Sequence, residues 1–326
     1  MDNDGASRLV LTRALPSPVM ELLRGAHCCW VNPDERTLRS HEIVERARGH
    51  GADTLLVMAM DRIDGPLIAA LPDTVRVIAT YSVGHDHIDL AAAKARGIAV
   101  LSTPDVLSDA VADLGILLLL GAARRAREAM ELIYGGRWTG WSPTQVIGRD
   151  LTGGRLGIVG MGRIGRAVAH RARHGFAMRV HYHNRSRLSA GLEDGATFHA
   201  ALDDLLAVSD FLMLAAPATA DTIGLLNAAS IERLPHGAVV ANVSRGDLVD
   251  DDALIAALAS GRVMAAGLDV FRGEPAIAPG YLGLPNVFLQ PHQGSSTIET
   301  RLRMGAMLLD SLARLRAGET VPNRLV

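Results

Sequence analysis

Three glycines between two apolar runs constrain the fold of this chain more than any other feature. The stretch GRLGIVGMGRIGRAVAHRARHGFAMRVHYHNRSR, residues 154–187, places Gly160, Gly162 and Gly165 in the pattern G-x-G-x-x-G. A strand pattern precedes the first glycine, a helical pattern follows the last, and a second strand pattern ends near His183. In this context glycine permits a tight turn, close approach of a pyrophosphate to the backbone, and close helix–strand packing. The stretch predicts a dinucleotide-binding βαβ unit; the alternative is a glycine-rich turn without a ligand.

Short apolar runs alternate with helical patterns on both sides of this unit. Strand patterns precede it at RLVLT, HCCWV, ADTLLVM, VRVIAT and IAVLS, and follow it at DFLMLAAP, AVVANVSRG, MAAGLDV and VFLQPH. This alternation predicts parallel sheets covered by helices, and 326 residues favour two domains. Because a helical pattern follows the last strand, we expect a discontinuous first domain (residues 1–102 and 291–326) around a second (residues 103–290). We also expect one long helix over residues 104–128.

Composition narrows the possible partners and the compartment. The 33 basic and 35 acidic residues nearly balance, which argues against a nucleic-acid or anionic-membrane partner. The apolar run at 114–123 is too short to span a bilayer and predicts a buried helix. Cys28 and Cys29 are the only cysteines, so we expect no disulfide framework and a reducing compartment. The first ten residues lack a signal-peptide pattern, and we therefore expect a cytoplasmic protein.

The segment after the second strand of the βαβ unit carries no acidic residue. An Asp or Glu there would bind the ribose 2′-hydroxyl of NAD and repel a 2′-phosphate. The chain has Asn184, Arg185, Ser186 and Arg187 instead. An arginine can bind a phosphate in a bidentate fork and a serine can donate to it, so the segment favours NADP. The alternative is that the arginines are solvated loop charges and that NAD serves as well.

Three polar residues follow later strand patterns: Arg245 in VSRGDLV, Glu274 in GLDVFRGEP and His292 in QPHQGSST. Ligands of open α/β sheets bind beyond the carboxyl ends of the strands, so we expect the three to converge on one crevice. Moving a hydride and a proton on an organic anion needs a cation and a titratable acid–base. The alternatives are a surface arginine, a capping glutamate and a core histidine.

The motifs GIVGMGRIGRAVA, NVSRGDLVDDDALIAAL, AAGLDVFRGEP and PHQGSST, in this order, resemble those of the D-isomer-specific 2-hydroxyacid dehydrogenases. The resemblance covers essentially the whole chain, and VGMGRIG with YHNRSR is most similar to the NADPH-preferring glyoxylate and hydroxypyruvate reductases. It implies two Rossmann-like α/β domains, a flavodoxin-like substrate domain and a dinucleotide-binding domain, with a cleft between them. It also implies NADPH-dependent reduction of glyoxylate or hydroxypyruvate to the D-2-hydroxyacid.

The resemblance assigns roles to the polar residues. His292 would protonate the carbonyl oxygen as the hydride arrives, and Glu274 would hydrogen-bond the imidazole and fix its tautomer. Arg245 would hold the substrate carboxylate and carbonyl. Backbone N–H groups of Ser82, Val83 and Gly84 would hold the other side of that carboxylate.

The resemblance also implies a wider set of cofactor contacts in the second domain. They come from the glycine loop, from the segment after the second strand, and from later loops: Gly160, Met161, Gly162, Arg163, Ile164, Gly165, Asn184, Arg185, Ser186, Arg187, Pro217, Thr222, Val243, Asp269 and Gly294.

Several residues depart from the pattern expected of such reductases. Met60 stands where threonine or serine is frequent, and either lines the substrate pocket or fills core space. His85 and His87 suggest a metal site, but no zinc-type spacing accompanies them, so we expect an ordinary loop and no metal. Gln293 either alters the pocket or points away. Trp141 either reaches a partner's active site or packs at an interface, and both readings predict a homodimer.

Two other functions are open at this point. A bulkier 2-oxoacid is one, since Met60 and the altered loops permit it. A nucleotide-sensing, corepressor-like protein on the same fold is the other, although Arg245, Glu274 and His292 are all present and no recruitment segment is visible.

Overall fold

The structure is a computed structural model that describes residues 7–326 and divides the chain into two compact α/β units. The first unit comprises Met1–Leu107, described from Ser7 onward, together with Ser295–Val326. The second unit is Ser108–Gly294. The sequence places these boundaries after residues 102 and 290.

The first unit is built on a five-stranded parallel sheet in the order β2-β1-β3-β4-β5. This is the strand order of flavodoxin-like folds. Its central strand β3 is buried at every position, as expected of a parallel sheet that is covered on both faces. The elements are β1 (Arg8–Leu11), α1 (Ser17–Ala26), β2 (Cys28–Val31), α2 (Ser40–His50), β3 (Thr54–Val57), α3 (Gly65–Ala70), β4 (Val77–Thr80), α4 (Leu90–Ala95), β5 (Ala99–Leu101) and the C-terminal α13 (Ile298–Arg316).

Two helices of this unit, α3 and α4, have an aspartate at the N-terminus whose side chain accepts a backbone N–H of the first turn. Asp89 caps the N-terminus of α4 by accepting the Ala92 N–H at 2.9 Å, and Asp64 caps α3 in the same way. Helix α13 packs on α1, and Gly305 leaves no room for a side chain against Val19. The C-terminal helix therefore belongs to the core of the first unit.

The second unit carries a seven-stranded parallel sheet in the order β12-β11-β10-β9-β6-β7-β8. The order reverses between β6 and β9, which is the topological switch point of a Rossmann sheet. Its elements are α5 (Ser108–Ala123), α6 (Ala126–Tyr134), β6 (Arg155–Val159), α7 (Arg163–Phe176), β7 (Arg179–His183), α8 (Ala190–Glu193), β8 (Thr197–Phe198), α9 (Leu202–Ala207), β9 (Phe211–Leu214), α10 (Ala228–Arg233), β10 (Ala238–Asn242), α11 (Asp251–Ser260), β11 (Val263–Leu268), α12 (Pro279–Leu282) and β12 (Val287–Leu289).

The prediction of one helix over residues 104–128 is wrong. Two helices, α5 and α6, occupy this region, and the chain breaks between them at Arg125, whose φ of 51° is left-handed. The backbone carbonyl of Ala123 at the end of α5 accepts the N–H of Arg149 at 2.8 Å. A tertiary hydrogen bond therefore takes an acceptor that a continuing helix would have used.

Both sheets are parallel throughout, so the predicted α/β class with two Rossmann-like units is confirmed. Across residues 7–326, no helix has both the length and the apolarity needed to cross a membrane.

Candidate active site

The glycine loop joins β6 to α7 at the switch point of the second unit. Gly160 has a φ of 94°, and a Cβ there would overlap the backbone of Ala216 on the neighbouring crossover. A Cβ at Gly162 would meet nothing within 4 Å, so the space beside this residue is open. Helix α7 begins at Arg163 and has no acidic residue in its first turn. The loop therefore presents an open helix N-terminus, which suits an anionic group.

The end of β7 holds this loop in place. The side-chain oxygen of Asn184 accepts the Met161 N–H at 2.7 Å, and the carbonyl of His183 accepts the Gly160 N–H at 3.0 Å. Met161 itself is buried. The predicted cofactor residue Asn184 therefore fixes the backbone of the glycine loop.

The two arginines of the 185–187 segment have different surroundings. Arg187 binds Glu193 in a bidentate fork, with Nε to Oε1 at 2.8 Å and Nη2 to Oε2 at 3.0 Å. Tyr182, which is fully buried, also donates to Glu193 at 2.6 Å. Arg187 first, and then Tyr182, lower the pKa of Glu193 to about 2, so this carboxylate stays ionised. Arg185 and Ser186 are exposed.

Glu193 was not anticipated from the sequence. It lies six residues after Arg187, on the short helix α8, and nothing in the local pattern indicates that its side chain turns back to the strand end. Glu193 pairs with Arg187, whereas Arg185 forms no ion pair with a carboxylate within residues 7–326.

His292 and Glu274 form a hydrogen-bonded pair. The Nδ1 atom of His292 lies 2.7 Å from Oε2 of Glu274, while Oε1 of Glu274 accepts the Phe271 N–H at 2.7 Å. Burial is the largest influence on the pKa of Glu274 and raises it. The hydrogen bond and charge of His292, the Phe271 N–H and the charge of Arg245 outweigh burial, so that the pKa is lowered. Glu274 is therefore a carboxylate that accepts from His292.

Backbone geometry places the imidazole. His292 has a left-handed φ of 54°, an uncommon conformation for a residue with a side chain. Asp269 stabilises this turn, because its carbonyl accepts the His292 N–H at 2.8 Å and its carboxylate accepts the Gln293 and Gly294 N–H groups at 2.6 and 3.0 Å. Burial raises the pKa of Asp269, and this effect outweighs that of the backbone N–H donors, which lower it. In the structure this predicted cofactor residue holds the histidine turn.

Arg245 follows β10 and is fixed by the last residue of that strand. The side chain of Asn242 donates to the Arg245 carbonyl at 2.8 Å and accepts the Ser244 N–H at 3.0 Å. Gly246 lies so close to the backbone at Phe271 that a Cβ would overlap it. This contact brings the Arg245 loop against the segment that carries Glu274, consistent with the influence of Arg245 on the pKa of Glu274. Asn242 was also missed, although its place three residues before the arginine is a usable signal.

The remaining predicted cofactor residues of the second unit surround the same strand ends. The hydroxyl of Thr222 donates to the Pro217 carbonyl at 2.6 Å, which closes the loop after β9. Val243 is buried directly after β10. Gly294, which ends the unit, is packed against Val111. Ile164 and Gly165 lie in the first turn of α7.

The predicted substrate residues Val83 and Gly84 lie in the first unit, in the loop after β4. The hydroxyl of Ser82 donates to the Gly84 carbonyl at 2.6 Å and lies 2.7 Å from Thr80 Oγ1. His87 Nε2 is 3.0 Å from the same threonine oxygen. A local hydrogen-bond network therefore fixes the backbone that presents Val83 and Gly84.

Two other predicted substrate residues are exposed within their own units. Met60, in the first unit, has 40% of its surface exposed, and Trp141, in the second, has 83%. Gln293 is exposed beside His292. His85 and His87 are not part of any cluster of three metal-ligating side chains among residues 7–326.

The fold and the polar group at the strand ends define a class of protein, a dinucleotide-binding oxidoreductase. Residues 116–294 match the family model described as D-isomer specific 2-hydroxyacid dehydrogenase, NAD binding domain. The chain belongs to this family. It is an enzyme, a dehydrogenase that interconverts 2-oxoacids and 2-hydroxyacids.

Similarity extends over whole relatives. A glycerate dehydrogenase of Hyphomicrobium methylovorum is 42% identical, with 95% of this chain and 96% of the relative covered. A glyoxylate reductase of Thermococcus kodakarensis is 40% identical over 97% of this chain and 95% of the relative. The solved structure of an NADPH-dependent glyoxylate/hydroxypyruvate reductase from Sinorhizobium meliloti, in complex with NADP and malonate, is 31% identical, with a TM-score of 0.84 and coverage of 99% of this chain and 97% of that one. The resemblance inferred from the motifs is confirmed.

Proposed function

We propose that the enzyme reduces glyoxylate or hydroxypyruvate with NADPH and yields the D-2-hydroxyacid where the product has a stereocentre. The observation that carries this proposal is the pair of His292 and Glu274, 2.7 Å apart, beside Arg245 at the ends of β10 to β12. Relatives named glyoxylate reductase and glycerate dehydrogenase support the choice of a small 2-oxoacid.

His292 is the proposed proton donor. Its Nδ1 hydrogen donates to the ionised Glu274, so Nε2 is the ring nitrogen that exchanges a proton with substrate. In reduction the imidazolium gives this proton to the carbonyl oxygen, and in oxidation the neutral ring takes it from the hydroxyl. Glu274 is a positioning residue that fixes the tautomer and stabilises the charged ring.

Arg245 is the proposed anchor for the substrate carboxylate. Asn242 and Ser244 set its backbone, and its guanidinium supplies the cation that a 2-oxoacid needs. Val83 and Gly84, and the exposed Met60, stay predictions for substrate contact from the first unit. The exposed Met60 also keeps a bulkier 2-oxoacid among the substrates to be tested.

The second unit fits a bound dinucleotide. The open space beside Gly162, the N-terminus of α7 and the lack of an acidic residue in the 184–187 segment suit a pyrophosphate and a 2′-phosphate. NADPH would supply the hydride. Gly160, Met161, Gly162 and Asn184 would form the cradle.

We propose that Arg185 is the main contact for the 2′-phosphate and that Arg187 supports it indirectly by bracing the segment against Glu193. Both were expected to bind the phosphate, but the fork to Glu193 already occupies the guanidinium of Arg187. Arg185 is exposed, and Ser186 beside it can donate. The NADP bound to the Sinorhizobium meliloti relative supports this choice of cofactor.

The cofactor proposal is tested with Arg185→Ala. A lost charge-assisted contact of about 1.5–3 kcal/mol should lower kcat/KM for NADPH about 10–150-fold and leave kcat/KM for NADH nearly unchanged. Arg179→Ala is the matched control, because Arg179 is an exposed arginine at the opposite end of the same strand. Equal losses with both cofactors, or none, would contradict the proposal.

We also propose a homodimer formed through α6 and the loop after it. None of the residues of α6 is buried within the chain, although the helix carries large apolar side chains: Ile133 is 61% exposed and Tyr134 is 83% exposed. In the loop that follows, Trp138 is 55% exposed and Trp141 is 83% exposed. Large apolar side chains that are exposed this close together in the chain are typical of a protein interface. Light scattering should give twice the chain mass of 34.6 kDa, and Tyr134→Glu with Trp138→Glu should reduce it to one chain.

The reaction itself is tested by absorbance at 340 nm with NADPH and NADH in turn. Glyoxylate, hydroxypyruvate, pyruvate and phenylpyruvate are the substrates. Rapid oxidation of NADPH by the two small substrates supports the proposal. Rapid oxidation with phenylpyruvate alone would favour the bulkier 2-oxoacid, and preference for NADH would overturn the cofactor assignment.

A further inference from the structure

Two histidines and an aspartate come together on the surface of the second unit, away from the glycine loop. His170 and His174 lie one turn apart on α7, so their side chains share one face of the helix. Asp194 ends α8 and faces both rings. This is the only group of three metal-ligating side chains with mutually close ligand atoms within residues 7–326.

The distances suit a single small cation. Oδ2 of Asp194 is 3.3 Å from His174 Nε2 and 3.6 Å from His170 Nδ1, and all three ligand atoms lie within 4.8 Å of one another. Ligands about 2 Å from a tetrahedral zinc ion lie about 3.4 Å from each other. Without an ion, the 3.3 Å contact is a hydrogen bond between His174 and Asp194, and both separations from Asp194 are also close to those between zinc ligands.

The arrangement is partly fixed before any ion binds. Asp194 has a left-handed φ of 46°, and the guanidinium of Arg173 on α7 donates to its backbone carbonyl. The same guanidinium lies against Gly195, whose φ of 73° is left-handed. The turn that carries Asp194 is thus tied to the helix that carries both histidines.

We propose that His170, His174 and Asp194 form a binding site for a divalent transition metal, best suited to Zn²⁺, that joins α7 to the turn after α8. Two imidazoles and one carboxylate are ligands that zinc prefers, and the exposed side chains leave a fourth position for water. The ion would occupy a surface site, with more than half of each side chain exposed. His174 lies about 15 Å along α7 from Arg163, so the ion would not touch the dinucleotide cradle.

The proposed metal site does not depend on the proposed reaction. The sequence alone does not indicate this site. His170 and His174 are four positions apart, as in helical zinc motifs, but Asp194 lies twenty positions further on. Only the tertiary fold brings this third ligand to the helix. A metal at this position would stabilise the folded second unit, because the unfolded chain does not hold the three ligands together.

The test is isothermal titration of the untagged, full-length protein with Zn²⁺, since a polyhistidine tag would bind the metal itself. We expect one Zn²⁺ per chain, and about tenfold or greater loss of affinity in His174→Gln and in Asp194→Asn. Glutamine is a good helix former, and asparagine tolerates the left-handed conformation, so both variants should fold. His41→Gln, which alters an exposed histidine on α2, is the control and should bind as the wild type does.

A second readout identifies the ligands directly. Co²⁺ in place of Zn²⁺ should give visible d–d absorption in the wild type that is lost in His174→Gln and kept in His41→Gln. Zn²⁺ should also raise the melting temperature of the wild type more than that of Asp194→Asn. No binding by the wild type, or equal binding by His174→Gln and the wild type, would overturn the proposal. The second result would place the metal elsewhere, for example at the pair of His181 and His199, whose ring nitrogens are 3.0 Å apart.

Discussion

Replacing Glu274 by glutamine removes a charge from the hydrogen-bonded pair that we propose to be catalytic, with little change of shape. Glutamine keeps an oxygen for the Phe271 N–H, so the backbone that Glu274 holds should not move. Its amide nitrogen would face Nδ1 of His292 in place of the carboxylate oxygen now 2.7 Å away. The substitution therefore favours the wrong tautomer and withdraws the stabilisation of the imidazolium.

The magnitude follows from the geometry of the pair. Two unit charges centred about 4 Å apart attract by about 4 kcal/mol at an effective dielectric constant of about 20. Because 37% of the His292 side chain is exposed, solvent screening reduces this to roughly 2 kcal/mol. In the proposed mechanism the imidazolium is the proton donor in reduction and the product of proton transfer in oxidation. We therefore expect kcat/KM to fall about 30-fold in both directions.

The assay is oxidation of NADPH at 340 nm with hydroxypyruvate, and reduction of NADP with D-glycerate, the two directions of one reaction. Glu232→Gln is the control, since Glu232 is an exposed glutamate of the same unit that pairs with Arg262. A folded Glu274→Gln variant that keeps the kcat/KM of the wild type would refute the role assigned to the carboxylate. Because the pKa of Glu274 is lowered, its protonation should not limit wild-type activity until the pH falls below the ordinary pKa of a glutamate.

Asp210→Asn should cost about 1–2 kcal/mol of unfolding free energy at pH 7, allowing for solvent screening, because Arg155 lowers the pKa of Asp210 to about 2. That contribution is present above the pKa of the unfolded state, near 4, and is lost as the pH falls toward 2. Urea melts should therefore give variant and wild type the same unfolding free energy in acid. A difference in unfolding free energy that does not change with pH would contradict the ion pair. Gly160→Ala should lower the unfolding free energy by about 2 kcal/mol or more, because its φ is 94° and a Cβ would overlap Ala216. Gly162→Ala should leave stability nearly unchanged and weaken NADPH binding instead, as urea melts and fluorescence titration would show; identical behaviour of the two variants would disprove the distinction.

The sequence by itself determined the α/β class, the glycine loop and the residue types of the site. These features are local: the alternation of apolar runs, the spacing of three glycines, and polar residues placed directly after strands. Strand ends of parallel sheets meet at one edge, so Arg245, Glu274 and His292 could be expected near one another without coordinates. Residues 104–128 have a continuous helical pattern, but the helix breaks at the left-handed Arg125, where the Arg149 N–H takes the Ala123 carbonyl.

Only the tertiary structure decided how each polar group is used. Arg185 and Arg187 are alike in the sequence, but Glu193 binds one of them because α8 folds back against β7. Asp269 follows β11 and His292 follows the neighbouring strand β12. This pairing brings the Asp269 carboxylate to the Gln293 and Gly294 N–H groups, so that it holds the turn of His292. Hydrogen bonds and ion pairs act over about 3 Å, and such distances between residues far apart in the chain are set by packing, which local sequence patterns do not record.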